Sequence, residues 1–135
     1  MGVALYIVSE NKDIQSDICM DGKALADVMI ETKLEALAKD NNITPLINYI
    51  QQTPEQIEDF CDELNLPKDK LPLVKFFSPE EGLKIIKEHQ KMVIKEEIWI
   101  GKERTLLVYE DLNRCEEIFK VLITHHVKWY FAYDF

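Results

Sequence analysis

The densest set of groups able to do chemistry is a run of carboxylates: Glu55, Glu58, Asp59, Asp62 and Glu63. On a helix, Glu55, Asp59 and Asp62 fall on one face with Glu58 and Glu63 flanking it, while Ile57, Phe60, Cys61 and Leu64 turn toward a core. Like charges at these spacings repel by about a few tenths of a kcal/mol per pair. Such a stripe reads either as a solvated face or as a docking surface for a basic protein, with Glu55, Glu58, Asp59 and Asp62 as its contact residues. Catalysis by paired carboxylates is a poorer fit, because one member must have a raised pKa in a pocket and nothing in the pattern implies burial.

A second concentration closes the chain, where Trp129, Phe131, Tyr133 and Phe135 alternate with Lys128, Tyr130, Ala132 and Asp134. Aromatic residues at this two-residue period belong to a strand facing a core. The alternative is a ligand platform lined by Tyr6, Trp129, Tyr130 and Asp134, with Asp134 or a nearby Glu as acid or base. Tyr130 and Trp99 are the aromatic side chains expected at the surface.

The remaining reactive types point away from cofactors and metals. His125 and His126 are adjacent, so on a helix they diverge by about 100° and cannot share an ion; a helix C-terminus explains them better. His89, between Glu88 and Gln90, is expected on a wet helix flank. The three cysteines, Cys19, Cys61 and Cys115, form no close pair and read as reduced, buried or half-buried thiols. No P-loop, dinucleotide fingerprint, nucleophile elbow, zinc helix or EF-hand loop is present, and four glycines leave few places to cradle a phosphate.

The elements that must position these groups follow from periodicity and caps. Residues 3–8 are apolar throughout and read as a strand buried on both faces, residues 73–77 as a second strand, and residues 128–134 as a third. Pro72 confines the second to a sheet edge or to a start after it. Asp21-Gly22 marks a turn or a helix cap, and residues 23–39 a helix with a break near Val28 to Thr32. Three hydroxyl-proline pairs, Thr44-Pro45, Thr53-Pro54 and Ser78-Pro79, each predict a helix start, the last two with a capping box to Gln56 and Glu81. The third start opens a helix to about Val93 with Leu83, Ile86, Gln90 and Val93 on one stripe. The stretch through Ile98-Trp99-Ile100 reads equally as helix or strand, and a final helix spans about Leu106 to His126. The expected fold is a single α+β domain over residues 1–135, a small sheet of about three strands covered by four or five helices.

The chain of 135 residues carries a formal charge of −9 and a sequence pI of about 4.8, which argues against a duplex-binding surface. No apolar run approaches the roughly 20 residues that cross a bilayer, and no basic leader opens the chain, so the expected location is cytoplasmic. Gly2-Val3-Ala4-Leu5-Tyr6-Ile7-Val8, Asp21-Gly22-Lys23-Ala24-Leu25-Ala26, Thr44-Pro45-Leu46, Phe77 to Leu83 and Lys128 to Phe135 together resemble a family of small uncharacterised bacterial proteins. The resemblance spans nearly the whole chain, rests on caps and strands, and brings no activity. Two functions fit these features. One is a non-catalytic module, such as an immunity protein or inhibitor, that docks its acidic helix on a basic partner; the other is a small enzyme or ligand-binding domain with an aromatic pocket.

Overall fold

The computed structural model describes residues 3–65, 74–96 and 100–134. Two strands, β1 (Ala4–Ser9) and β2 (Trp129–Asp134), pair antiparallel from Ala4 opposite Asp134 to Ser9 opposite Trp129. Leu5, Ile7, Tyr133, Phe131, Trp129 and Ser9 share one face of this ribbon, and Ala4, Tyr6, Val8, Asp134, Ala132 and Tyr130 the other. The first face is the core face: Leu5, Ile7, Trp129 and Phe131 are all fully buried.

Neither edge of the ribbon is bare. Beside β1, Leu5 exchanges two backbone hydrogen bonds with Gly22, each 3.1 Å. Further along, Ser9 N–H donates to Gln15 Oε1 (2.8 Å) and Gln15 Nε2 donates to Ile7 O (2.9 Å). Beside β2, Trp129 exchanges two bonds with Phe77, Gln51 N–H donates to Phe131 O, and Gln56 Nε2 donates to Tyr133 O (2.8 Å). Gln51 also uses its side chain, accepting from Lys75 N–H (2.7 Å) and donating to Lys75 O. A primary amide carries the same donor and acceptor as a peptide group, so each glutamine stands in for one residue of a strand. The expected third strand is thus reduced: among the described residues Phe77 contributes a single bridge to Trp129, and residues 71–73 lie outside the described part. The α+β content is as expected, with two strands among the described residues rather than about three.

Six helices surround the ribbon among the described residues: α1 (Lys12–Gln15), α2 (Lys23–Ile30), α3 (Lys33–Asp40), α4 (Pro54–Leu64), α5 (Pro79–Lys95) and α6 (Lys102–His125). The break between α2 and α3 falls where expected, at Thr32 with φ 62°. Gly22 caps α2 without a side chain to offer, and Asp111 of α6 supplies the missing acceptor to Leu25 N–H at 3.0 Å. Burial there, partly offset by that bond, holds the Asp111 carboxyl above its ordinary range. α5 and α6 pack closely enough that a Cβ at Gly82 would meet the Phe119 ring at 2.5 Å.

The three expected helix starts differ. Thr53 forms both bonds of the capping box with Gln56, and Ser78 accepts from Glu81 N–H. Glu81 does not return that bond; its carboxylate instead accepts from the Tyr49 hydroxyl at 2.6 Å. After Thr44-Pro45 the chain makes only a 3-10 turn, Leu46–Tyr49, because it then extends at Ile50 to reach β2. His125 ends α6 and His126 follows in the left-handed conformation, both exposed. α5 runs on to Lys95, while residues 97–99, including Trp99, lie outside the described part.

Four burial expectations are corrected. Cys61 and Cys115 are buried, but Cys19 is exposed, its Sγ near Ser16 O at 3.3 Å. Leu64 at the end of α4 is 54% exposed, and the side chain of Phe60 lies outside the described part. Tyr130 is 1% exposed and Ala132 is buried, so β2 is covered on both faces rather than alternating. His89 is fully buried rather than on a wet flank: Nδ1 bonds Ile85 O at 2.8 Å, and Nε2 has no partner among the described residues.

Desolvation at that site lowers the His89 pKa from 6.5, against the smaller opposing pull of the Ile85 carbonyl. The unfolded chain therefore binds a proton near pH 6.5 that the folded chain refuses, and stability falls as pH drops through that range toward the folded pKa. At its steepest this costs about 1.4 kcal/mol per pH unit. Urea denaturation between pH 7 and pH 5 should show the loss, and His89→Leu should flatten it; equal slopes in the two proteins would remove His89 as the cause.

Candidate functional site

An open cleft of about 1080 Å³ lies along the free side of β1, between Ala4 and Tyr6 on one wall and the Lys12 to Lys23 segment on the other. The cleft exists because Gly22 and Gln15 each reach β1 only at isolated points, leaving the chain between them, with Ser16, Cys19 and Met20, standing off the strand. Asp134 closes one end, opposite Ala4 at the last register position of the ribbon. Asp21 and Lys23 pair at 3.6 Å on the rim, and Arg114 anchors the outer wall by donating twice to Cys19 O, at 3.0 and 2.9 Å.

Of the residues expected to form an aromatic pocket, Tyr6 and Asp134 line this cleft. Trp129 does not. It sits in the core, with Nε1 donating to Ser78 O at 2.8 Å and its ring against Phe119 (4.5 Å), Phe131 (4.8 Å) and Tyr49 (5.4 Å). Tyr130 lies on the same ribbon face as Tyr6, as its diagonal neighbour, and packs on Phe76 at 5.3 Å.

The carboxylates of α4 join this region at the helix's first turn. Gln56 fastens that turn to the end of β2, and the charge of Glu55 reaches both Tyr6 and Tyr130. Burial first, then Asp134, then Glu55 push the Tyr6 phenol above 10. Burial, then Tyr6 and Glu55, push Tyr130 up to about 12. Glu55, Glu58, Asp59, Asp62 and Glu63 are all exposed along the rest of the helix, and Glu58 and Asp62 each make a further interaction.

A smaller cleft of about 430 Å³ was not indicated by any motif. Within it Tyr49 donates to Glu81, and Lys75 Nζ stands 5.1 Å from the centre of the Phe77 ring. Among the described residues no cluster of three or more His, Cys, Asp or Glu is placed to hold a metal ion. None of the described helices is long and apolar enough to cross a membrane. No protein-family model, curated protein or solved structure matches the chain.

The Tyr6 environment gives a direct check on this geometry. Asp134→Asn removes a negative charge that opposes phenolate formation, so the Tyr6 pKa should fall toward 10 while that of Tyr133, raised by burial, stays put. Titrating the tyrosine ring resonances by NMR reads both. An unmoved Tyr6 would separate Asp134 from the cleft.

Proposed function

We propose that this protein is a non-catalytic binding module that docks on a basic protein, in the manner of an immunity protein or inhibitor. The observation that carries the reading is the continuity of acid from Asp134 past Tyr6 to Glu55 and on along the exposed side of α4. On a chain of net charge −9, this surface would attract a basic partner during encounter and orient it, raising the association rate more than the affinity. The exposed Leu64 at the far end of α4 adds an apolar contact beside the charges. The cleft itself supports a second reading, a small-ligand site between Tyr6 and Asp134, with Asp134 as its acid or base.

Replacing Asp59 and Glu63 with Lys tests the docking reading, because both are exposed and lie away from the cleft end of the helix. The basic partner recovered by affinity capture with the wild-type chain should associate about tenfold more slowly with the double variant at low ionic strength, and with a flatter salt dependence. The melting temperature should barely move. Equal association rates, or capture of no basic protein, would reject docking through α4.

A further inference from the structure

We propose that Thr44 is a phosphoacceptor for a proline-directed protein kinase and that Lys75 is the counterion of the phosphate it receives. The inference is independent of the docking reading.

Thr44-Pro45, Thr53-Pro54 and Ser78-Pro79 each present a hydroxyl followed by proline, the pair that a kinase of this class selects. In sequence the three are equivalent, and helix capping accounts for each of them. The fold separates them. Thr53 is buried, its hydroxyl oxygen accepts from Gln56 N–H (3.2 Å), and its carbonyl accepts from Ile57 N–H. The Ser78 hydroxyl accepts from Glu81 N–H (3.3 Å), and its carbonyl accepts from the Trp129 indole (2.8 Å). Presenting either one to an enzyme therefore means opening the start of a helix. Thr44 caps nothing: Pro45 stands at the start of the 3-10 turn, where no side chain makes a capping bond. Thr44 is exposed, and neither its hydroxyl nor its backbone has a hydrogen-bond partner among the described residues. Pro45 continues the segment in the extended conformation, with φ −65° and ψ 146°. Thr44 is thus the one of the three hydroxyls that an enzyme can reach without unfolding anything.

Transfer forms a bond from Thr44 Oγ1 to the γ-phosphorus of ATP, breaks the bond from that phosphorus to the oxygen that leaves with ADP, and passes the hydroxyl proton to the kinase's catalytic aspartate. The product gains a charge of about −1.5 to −2. Thr44 and Lys75 line the same cleft of about 430 Å³. The Lys75 ammonium rests over the Phe77 ring and has no carboxylate partner among the described residues, so it is the cation on hand. Glu81, on the same cleft and bonded by Tyr49, repels the phosphate and turns it toward Lys75.

The test incubates the full folded chain with ATP and an activated proline-directed serine/threonine kinase, beside peptides of residues 40–49, 49–58 and 74–83, and maps the phosphate by mass spectrometry. The folded chain should be labelled on Thr44, with Thr53 and Ser78 reacting about tenfold more slowly than in their peptides. Thr44→Ala, which removes no bond of the fold, should leave the folded chain unlabelled. On phosphorylation the Phe77 ring resonances should shift as Lys75 turns to the phosphate, and Lys75→Ala should abolish that shift without reducing the labelling. A folded chain unlabelled on Thr44, or labelled as fast on Thr53 or Ser78, would overturn the phosphoacceptor assignment; Phe77 resonances indifferent to the phosphate would overturn the role of Lys75.

Discussion

Everything else in the molecule is arranged around the closure of a two-stranded ribbon. Six residues per strand bury too little to persist in water, and each strand presents an outer row of peptide groups that must find partners. Most proteins add strands. Here the flanking segments touch the ribbon one residue at a time, through Gly22 on one side and through Gln51 and Phe77 on the other, and the amides of Gln15 and Gln56 occupy places a neighbouring strand would have taken. Trp129 ties this arrangement to the core: its backbone holds Phe77, its indole donates to Ser78 O at the start of α5, and its ring meets Phe119 of α6.

That manner of closure also leaves a cleft beside β1. A full third strand beside β1 would fill the space now open between Tyr6 and the Lys12 to Lys23 segment; point contacts leave it as a cleft. The bond from Gln56 to Tyr133 O sets the first turn of α4 against the end of the ribbon, near enough for the charge of Glu55 to act on Tyr6. The capping box makes this anchor firm, since the same Gln56 side chain accepts from Thr53 N–H while donating to β2. Cap and anchor are one residue.

What could be read from the sequence is what depends on neighbours a few residues away. The caps at Thr53 and Ser78, the break near Thr32, the stripe through Ile86, Gln90 and Val93, and the exposed acids of α4 all follow from local spacing and appear in the structure. The misses are long-range. Nothing near Gln15 or Gln51 announces that its amide will pair with a strand, and the turn after Thr44-Pro45 stays short only because Gln51 must reach Phe131. Tyr130 looked outward by alternation, but it is buried, with Phe76 packed on its ring. His89 has polar neighbours in sequence yet is fully buried on α5, so local composition pointed the wrong way.

Native-state hydrogen exchange tests the closure of the ribbon most directly. The amides of Leu5 and Trp129, which bond single residues outside the ribbon, should exchange only by near-global opening, as slowly as those of Tyr6 and Val8, which face β2. Ser9, whose amide is held by a side chain alone, should share that protection and lose it in Gln15→Ala. Edge amides that exchange orders of magnitude faster than the interior pair, at low denaturant, would show an open ribbon stabilised by its helices alone and would contradict the account.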